Sequence, residues 1–97
     1  MIIQPALSVL AKVEQLIDAA EPAAKANGAT ESWHRDKSFI IACRTRLCSG
    51  DHKDVRWILD ETRNLSQGFG SYCGDLKRLD DLLDEVHKHL LALVSSP

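Results

Sequence analysis

The sequence predicts an all-α fold, a single-domain antiparallel four-helix bundle spanning residues 1–97. Three observations predict it. Apolar residues recur at spacings of three and four along most of the chain. No run alternates with period two for long enough to make a strand. Turn residues cluster at Asn27-Gly28, Ser49-Gly50-Asp51 and Gly68-Phe69-Gly70-Ser71, which leaves four segments of helical length. Short connections between helices favour antiparallel neighbours.

The first segment runs from Pro5 to Ala26. Pro5 suits a first helical turn, where its missing N–H costs little. Leu7, Leu10, Val13, Leu16, Ile17 and Ala20 form its apolar face. Pro22 must kink this helix or start a new turn, and Asn27-Gly28 is a C-terminal stop. The second segment, Glu31 to Cys48, has Thr30 as its expected N-cap. Trp33, Ile40, Cys43 and Leu47 lie on one side, Phe39 and Ile41 widen it, and this helix is expected to be the most buried. In the third segment Asp51 is the N-cap and Asp54 complements the helix dipole in the first turn. Val55, Ile58, Leu59, Thr62 and Leu65 form its inner stripe, and Gly68 closes it. The fourth segment, Gly74 to Val94, carries Leu76, Leu79, Leu83, Val86, Leu90 and Leu93, a heptad-like seam fit for packing along another helix. Lys77 with Asp81, and Asp84 with Lys88, are four apart and can pair on its outer face.

Composition excludes several function classes. Hydrophobic residues at 44% and charged residues at 27% are ordinary for a globular domain. Twelve basic against fourteen acidic residues give a net charge of −2, whereas nucleic-acid binders usually carry a basic excess to neutralise phosphates, which leaves only a local patch for that role. No stretch approaches the roughly 18 apolar residues of a membrane span, and the N-terminal run is broken by Gln4, Pro5 and Ser8, so no signal peptide is expected. The expected compartment is the cytoplasm. Cys43, Cys48 and Cys73 are an odd number that fits no disulfide framework.

No catalytic or metal constellation is legible. Cys43, Cys48, His52 and Cys73 could in principle hold zinc, but C-x4-C-x3-H matches no usual zinc spacing, and Cys43 with Cys48 reads as small core residues. His87 and His89 lie two apart and point to different helix faces. Asp80, Asp81, Asp84 and Glu85 read as a solvated, salt-laced surface rather than a catalytic pair. The Gly68-Phe69-Gly70-Ser71 turn lacks the strand and the Gly-Lys-Ser/Thr of a phosphate loop. Phe69 either plugs the bundle end or faces a partner. Arg44, Arg46, Lys53, Arg56 and Arg63 sketch a basic helix-turn-helix, yet Asp51, Asp54, Asp60 and Glu61 interleave with them. No cofactor is expected.

Trp57 is the most informative residue. At 100° per residue it falls opposite the Val55, Ile58, Leu59 and Leu65 stripe, among Lys53, Asp60, Glu61 and Asn64. Tryptophan in a polar frame is the composition of a binding hot spot. The competing reading packs Trp57 under the N-terminal segment.

Trp33, Gly50-Asp51, Gly68-Phe69-Gly70-Ser71 and Asp75-Leu76 follow one another over roughly residues 30–80. This pattern resembles small helical bacterial immunity proteins of polymorphic or type VI secretion toxins, with a departure at the extra residue Gly74. The resemblance implies a non-enzymatic inhibitor that occludes a cognate toxin in the cytoplasm. The expected partner-binding residues are Lys53, Trp57, Asp60, Asn64, Phe69, Ser71 and Tyr72. Two other readings stay open: a helical adaptor that forms a homodimer through the fourth-segment seam, and a small nucleic-acid-binding regulator. A phage-encoded inhibitor of host defence fits the binding class equally.

Overall fold

A computed structural model describes residues 2–62, 69, 70, 72 and 75–95. The described residues form helices and no strand. Helix α1 spans Gln4–Ala19, α2 Glu21–Ala26, α3 Thr30–Ser49, α4 His52–Glu61 and α5 Leu76–Val94. The molecule is elongated, 47 × 22 × 19 Å. Helix α1 packs on α3 and α5, and α4 packs on the same two helices, so four helices enclose one core.

The first segment is two helices, and Pro22 is the reason. Proline has no N–H to continue the ladder. The Ala20 N–H instead closes on the Ile17 carbonyl at 3.1 Å, and the Ala24 N–H restarts the ladder on the Ala20 carbonyl at 3.0 Å. Gly28 ends α2 and Gly50 ends α3, at φ of 68° and 74°, a region that costs glycine nothing.

The two expected N-caps fare differently. The Asp51 carboxylate accepts the Lys53 N–H at 2.7 Å, as expected for a cap. Thr30 is not a cap. It lies inside α3, because the Ala29 carbonyl already accepts the Trp33 N–H at 3.0 Å, and no side chain caps that end. Asp75 caps α5 by accepting the Arg78 N–H.

The core follows the expected stripes. Val13 and Ile17 of α1, Ile40, Cys43 and Leu47 of α3, Val55 and Ile58 of α4, and Leu79, Val86 and Leu90 of α5 are fully enclosed. The α5 seam therefore closes the core of its own chain; only Leu76, at 40% exposure, leaves it for solvent. Three expectations fail. Ile41 is exposed, since it lies well round α3 from the Ile40–Cys43–Leu47 line. Helix α3 is not the most buried, because α1 buries as many side chains, five, over a shorter length. Neither Lys77–Asp81 nor Asp84–Lys88 forms an ion pair; such exposed pairs gain only about 0.2–0.5 kcal/mol, too little to hold two long side chains together.

Lys25 and Glu21 do pair within α2, at 3.1 Å, but the shortest ion pairs cross between helices. Lys37 donates to Glu14 at 2.8 Å and to Asp18 at 2.6 Å, and Arg44 donates to Glu14 at 2.6 Å. Burial alone would lower the Lys37 pKa, but the hydrogen bonds to Asp18 and Glu14 outweigh it and raise it above 10.5. The group therefore stabilises the fold below that ordinary value, and the contribution is lost as pH climbs through the raised one.

The two caps separate in a mutational test. Asp51→Ala should cost about 1 kcal/mol, read as a lower urea midpoint. Thr30→Ala should stay within about 0.5 kcal/mol of the parent. Equal losses would return Thr30 to the capping role.

Candidate functional site

Trp57 of α4 is half-buried, packs against the core and meets two side chains of α3. Its ring meets Phe39 at a centroid distance of 5.6 Å and 44° tilt. The Arg46 guanidinium lies 3.8 Å from the ring centroid on the same helix edge. Phe39 and Arg46 are seven residues apart on α3, two helical turns, so they form one flank and Trp57 fills the gap between them. A cation stacked on tryptophan at an exposed site is worth about 0.5–1 kcal/mol. Lys53 and Asp60, one turn before and after Trp57, are both exposed. Lys53, Trp57 and Asp60 thus share one surface, and the sequence reading lacked its Arg46 lid. Asn64 and Ser71 lie outside the described residues.

Phe69 and Tyr72 are not surface residues. Phe69 is fully buried and Tyr72 is 3% exposed, with their rings 5.1 Å apart. The Tyr72 hydroxyl donates to the Asp36 carboxylate at 2.6 Å. This corrects their assignment as partner contacts. Phe69 takes the other role considered for it, plugging the core from the connection between α4 and α5.

Asp36 is the functional-looking group that sequence reading missed. It is 4% exposed, on the stripe of Trp33, Ile40, Cys43 and Leu47. Its position was legible, since 33, 36, 40, 43 and 47 step by threes and fours. A charged residue within such a stripe signals a buried polar contact. Desolvation raises its pKa above 3.8, opposed by the Tyr72 hydrogen bond and by Arg35, whose Nε is 3.9 Å away. Trp33 is satisfied similarly, its indole N–H donating to the Ile17 carbonyl at 2.6 Å. Among the described residues no buried side-chain nitrogen or oxygen lacks a partner.

The groups considered for chemistry are dispersed. Cys43 is fully buried and burial pushes its thiol up to about 12, so it stays protonated at neutral pH. Cys48 is exposed, not a core residue, and Cys73 is outside the described residues. His34 and His52 are exposed. His87 hydrogen-bonds the buried Thr62 hydroxyl across the α4–α5 contact. Asp80, Asp81, Asp84 and Glu85 are exposed. No group of three metal-ligating side chains occurs among the described residues. An open cleft of about 530 Å3 between α1 and the start of α5 is lined by Lys12, Lys77, Arg78, Asp81, Leu82 and Glu85 among others, both charge signs around one leucine. No helix among the described residues is long and apolar enough to cross a membrane. The basic helix-turn-helix set is also divided: Arg44 is tied to Glu14, Arg46 covers Trp57, and Arg63 is outside the described residues.

No protein family, curated protein or solved structure matches this chain.

The Asp36–Tyr72 contact makes a pH-dependent prediction. With its folded pKa raised, Asp36 binds a proton more tightly in the folded than in the unfolded chain, so its contribution to stability falls as pH rises above about 3.8. Asp36→Asn keeps an acceptor for Tyr72 and removes the charge. Its urea midpoint relative to the parent should therefore be higher at pH 7 than at pH 3.5. Tyr72→Phe withdraws the donor and should cost about 1–3 kcal/mol at pH 7. A pH-independent difference for Asp36→Asn would contradict the raised pKa.

Proposed function

We propose that this chain is a cytoplasmic protein-binding module of the immunity type, an antiparallel helical bundle that occludes a bacterial toxin, and not an enzyme. One observation carries the binding part of this reading: Trp57 is held half-exposed at the α3–α4 edge, with Arg46 stacked on it and Lys53 and Asp60 beside it. Tryptophan and arginine are the residues most enriched among binding hot spots, where a pre-positioned ring loses little entropy on contact. The toxin as partner rests on the resemblance of Trp33, Gly50-Asp51 and the Gly68–Ser71 turn to immunity proteins. The antiparallel arrangement is supported by the α1–α3 pairs, where Ile17 meets Trp33, Glu14 and Asp18 meet Lys37, and Glu14 also meets Arg44. The α5 seam is occupied within the chain, which favours this reading over a homodimer through that helix.

The test is capture of the product of the adjacent gene by the tagged full chain, with inhibition of that product's toxicity as the functional readout. Trp57→Ala should weaken binding by more than about 2 kcal/mol, roughly 30-fold, while circular dichroism shows a folded chain. Undiminished binding in a folded Trp57→Ala variant counts against this surface. Unfolding of the variant places Trp57 among the structural residues instead.

A further inference from the structure

Helix α4 packs on α3 and α5, and its outer face is left to solvent. Lys53, Arg56 and Asp60 are exposed there, three or four residues apart, with Trp57 half-buried among them and Glu61 at the border. The other carboxylates nearby are engaged within the chain. Asp51 caps the helix, and Asp54 accepts the Ser49 hydroxyl at 2.6 Å and lies 3.9 Å from Arg46. Lys53, Arg56, Asp60 and Glu61 form no ion pair among the described residues. These four unpaired charges are segregated: both cations precede Trp57 and both carboxylates follow it. The order runs against the helix dipole, which favours carboxylates at the start and cations at the end, so α4 itself gains nothing from it.

We propose that a second copy of this chain seats on the outer face of α4, antiparallel, in a two-fold contact centred on Trp57. A two-fold contact brings a surface against itself, so the surface must be self-complementary. Reversing the direction of the second helix sets Lys53 and Arg56 of each copy along Asp60 and Glu61 of the other. A parallel copy sets cation on cation and carboxylate on carboxylate. The same balance disfavours a segment of one sign: an acidic one meets Asp60 and Glu61, and a basic one meets Lys53 and Arg56. Trp57, held by Phe39 and Arg46, supplies the apolar centre. Helix α4 has ten residues, about 15 Å, so the interface is small and the dimer weak, with a dissociation constant on the order of 0.1 mM. At low micromolar concentration the chain is a monomer with this face open. The contact therefore stands apart from the protein-binding reading above and competes with it only in concentrated solution.

The experiment is sedimentation equilibrium of the full chain from about 10 μM to about 1 mM, a range that brackets such a constant. The mass should rise from 10.8 kDa toward twice that value, and added salt should weaken the rise. The decisive variants are Lys53→Glu with Arg56→Glu, and Asp60→Lys with Glu61→Lys. Each double variant alone should associate at least tenfold more weakly than the parent, because these four positions then carry one sign. Mixed one to one, the two should associate again, since each half meets its opposite. Where a double variant fails to fold by circular dichroism, Lys53→Glu and Asp60→Lys, both at exposed positions, repeat the exchange with one charge each. A parent that stays monomeric, a dimer that both reversals leave intact, or a mixture that does not associate overturns the proposal. None of these outcomes bears on toxin capture, which is run on the monomer at low concentration.

Discussion

The rest of the structure hangs on the inner stripe of α3. Trp33, Asp36, Ile40, Cys43 and Leu47 face inward on a helix that touches α1, α2 and α4. Two of these five carry polar atoms that burial would otherwise strand, and an unmade hydrogen bond there costs about 1–3 kcal/mol. The Trp33 indole must find an acceptor, and the Ile17 carbonyl supplies it near the end of α1. The Asp36 carboxylate must find a donor, and Tyr72 supplies it from the connection to α5. Apolar packing alone tolerates many arrangements of similar volume, whereas these two directional contacts fix which parts of the chain meet α3.

The two flanks of that helix are chemically unlike. Toward α1 the contacts are ionic: Lys37 and Arg44 converge on Glu14, and Lys37 also takes Asp18. Toward α4 they are aromatic and cationic, with Phe39 and Arg46 on either side of Trp57. Ionic contacts satisfy themselves and leave little to offer a partner. The aromatic flank is different, since the Arg46 guanidinium spends its face on the ring and has only the long Asp54 contact, 3.9 Å, at its edge. That contrast is why the α3–α4 edge, rather than the α1–α3 edge, is the surface read as functional.

Much of the fold was legible because helical periodicity survives in a single sequence. The stripes of α1, α4 and α5, the αL glycines at 28 and 50, the break at Pro22 and the Asp51 cap all follow from local rules of spacing and backbone chemistry. The failures share a different physics. Thr30 looked like a cap because its residue type suits one, but the register of the first α3 hydrogen bond sits one residue earlier. The α5 surface charges had the right spacing for pairs and stay apart, while the equally spaced Lys25 and Glu21 of α2 do meet; exposed pairs are worth so little that spacing does not decide which form. Phe69 and Tyr72 lie between α4 and α5, outside the stripes read from periodicity, and the contact of Tyr72 with Asp36 is long-range, so spacing alone does not reveal that they turn inward. Arg46 over Trp57 was equally hidden, because stacking between α3 and α4 depends on how the two helices meet and not on spacing within either.

We propose the α3–α4 edge as the partner-binding surface. Hydrogen–deuterium exchange of the free and partner-bound chain measures that most directly, since amide protection maps contact without altering a residue. New protection should be concentrated over residues 46–60, with the α1–α5 side unchanged. Protection centred on α1 and α5, with residues 46–60 exchanging as in the free chain, would contradict it.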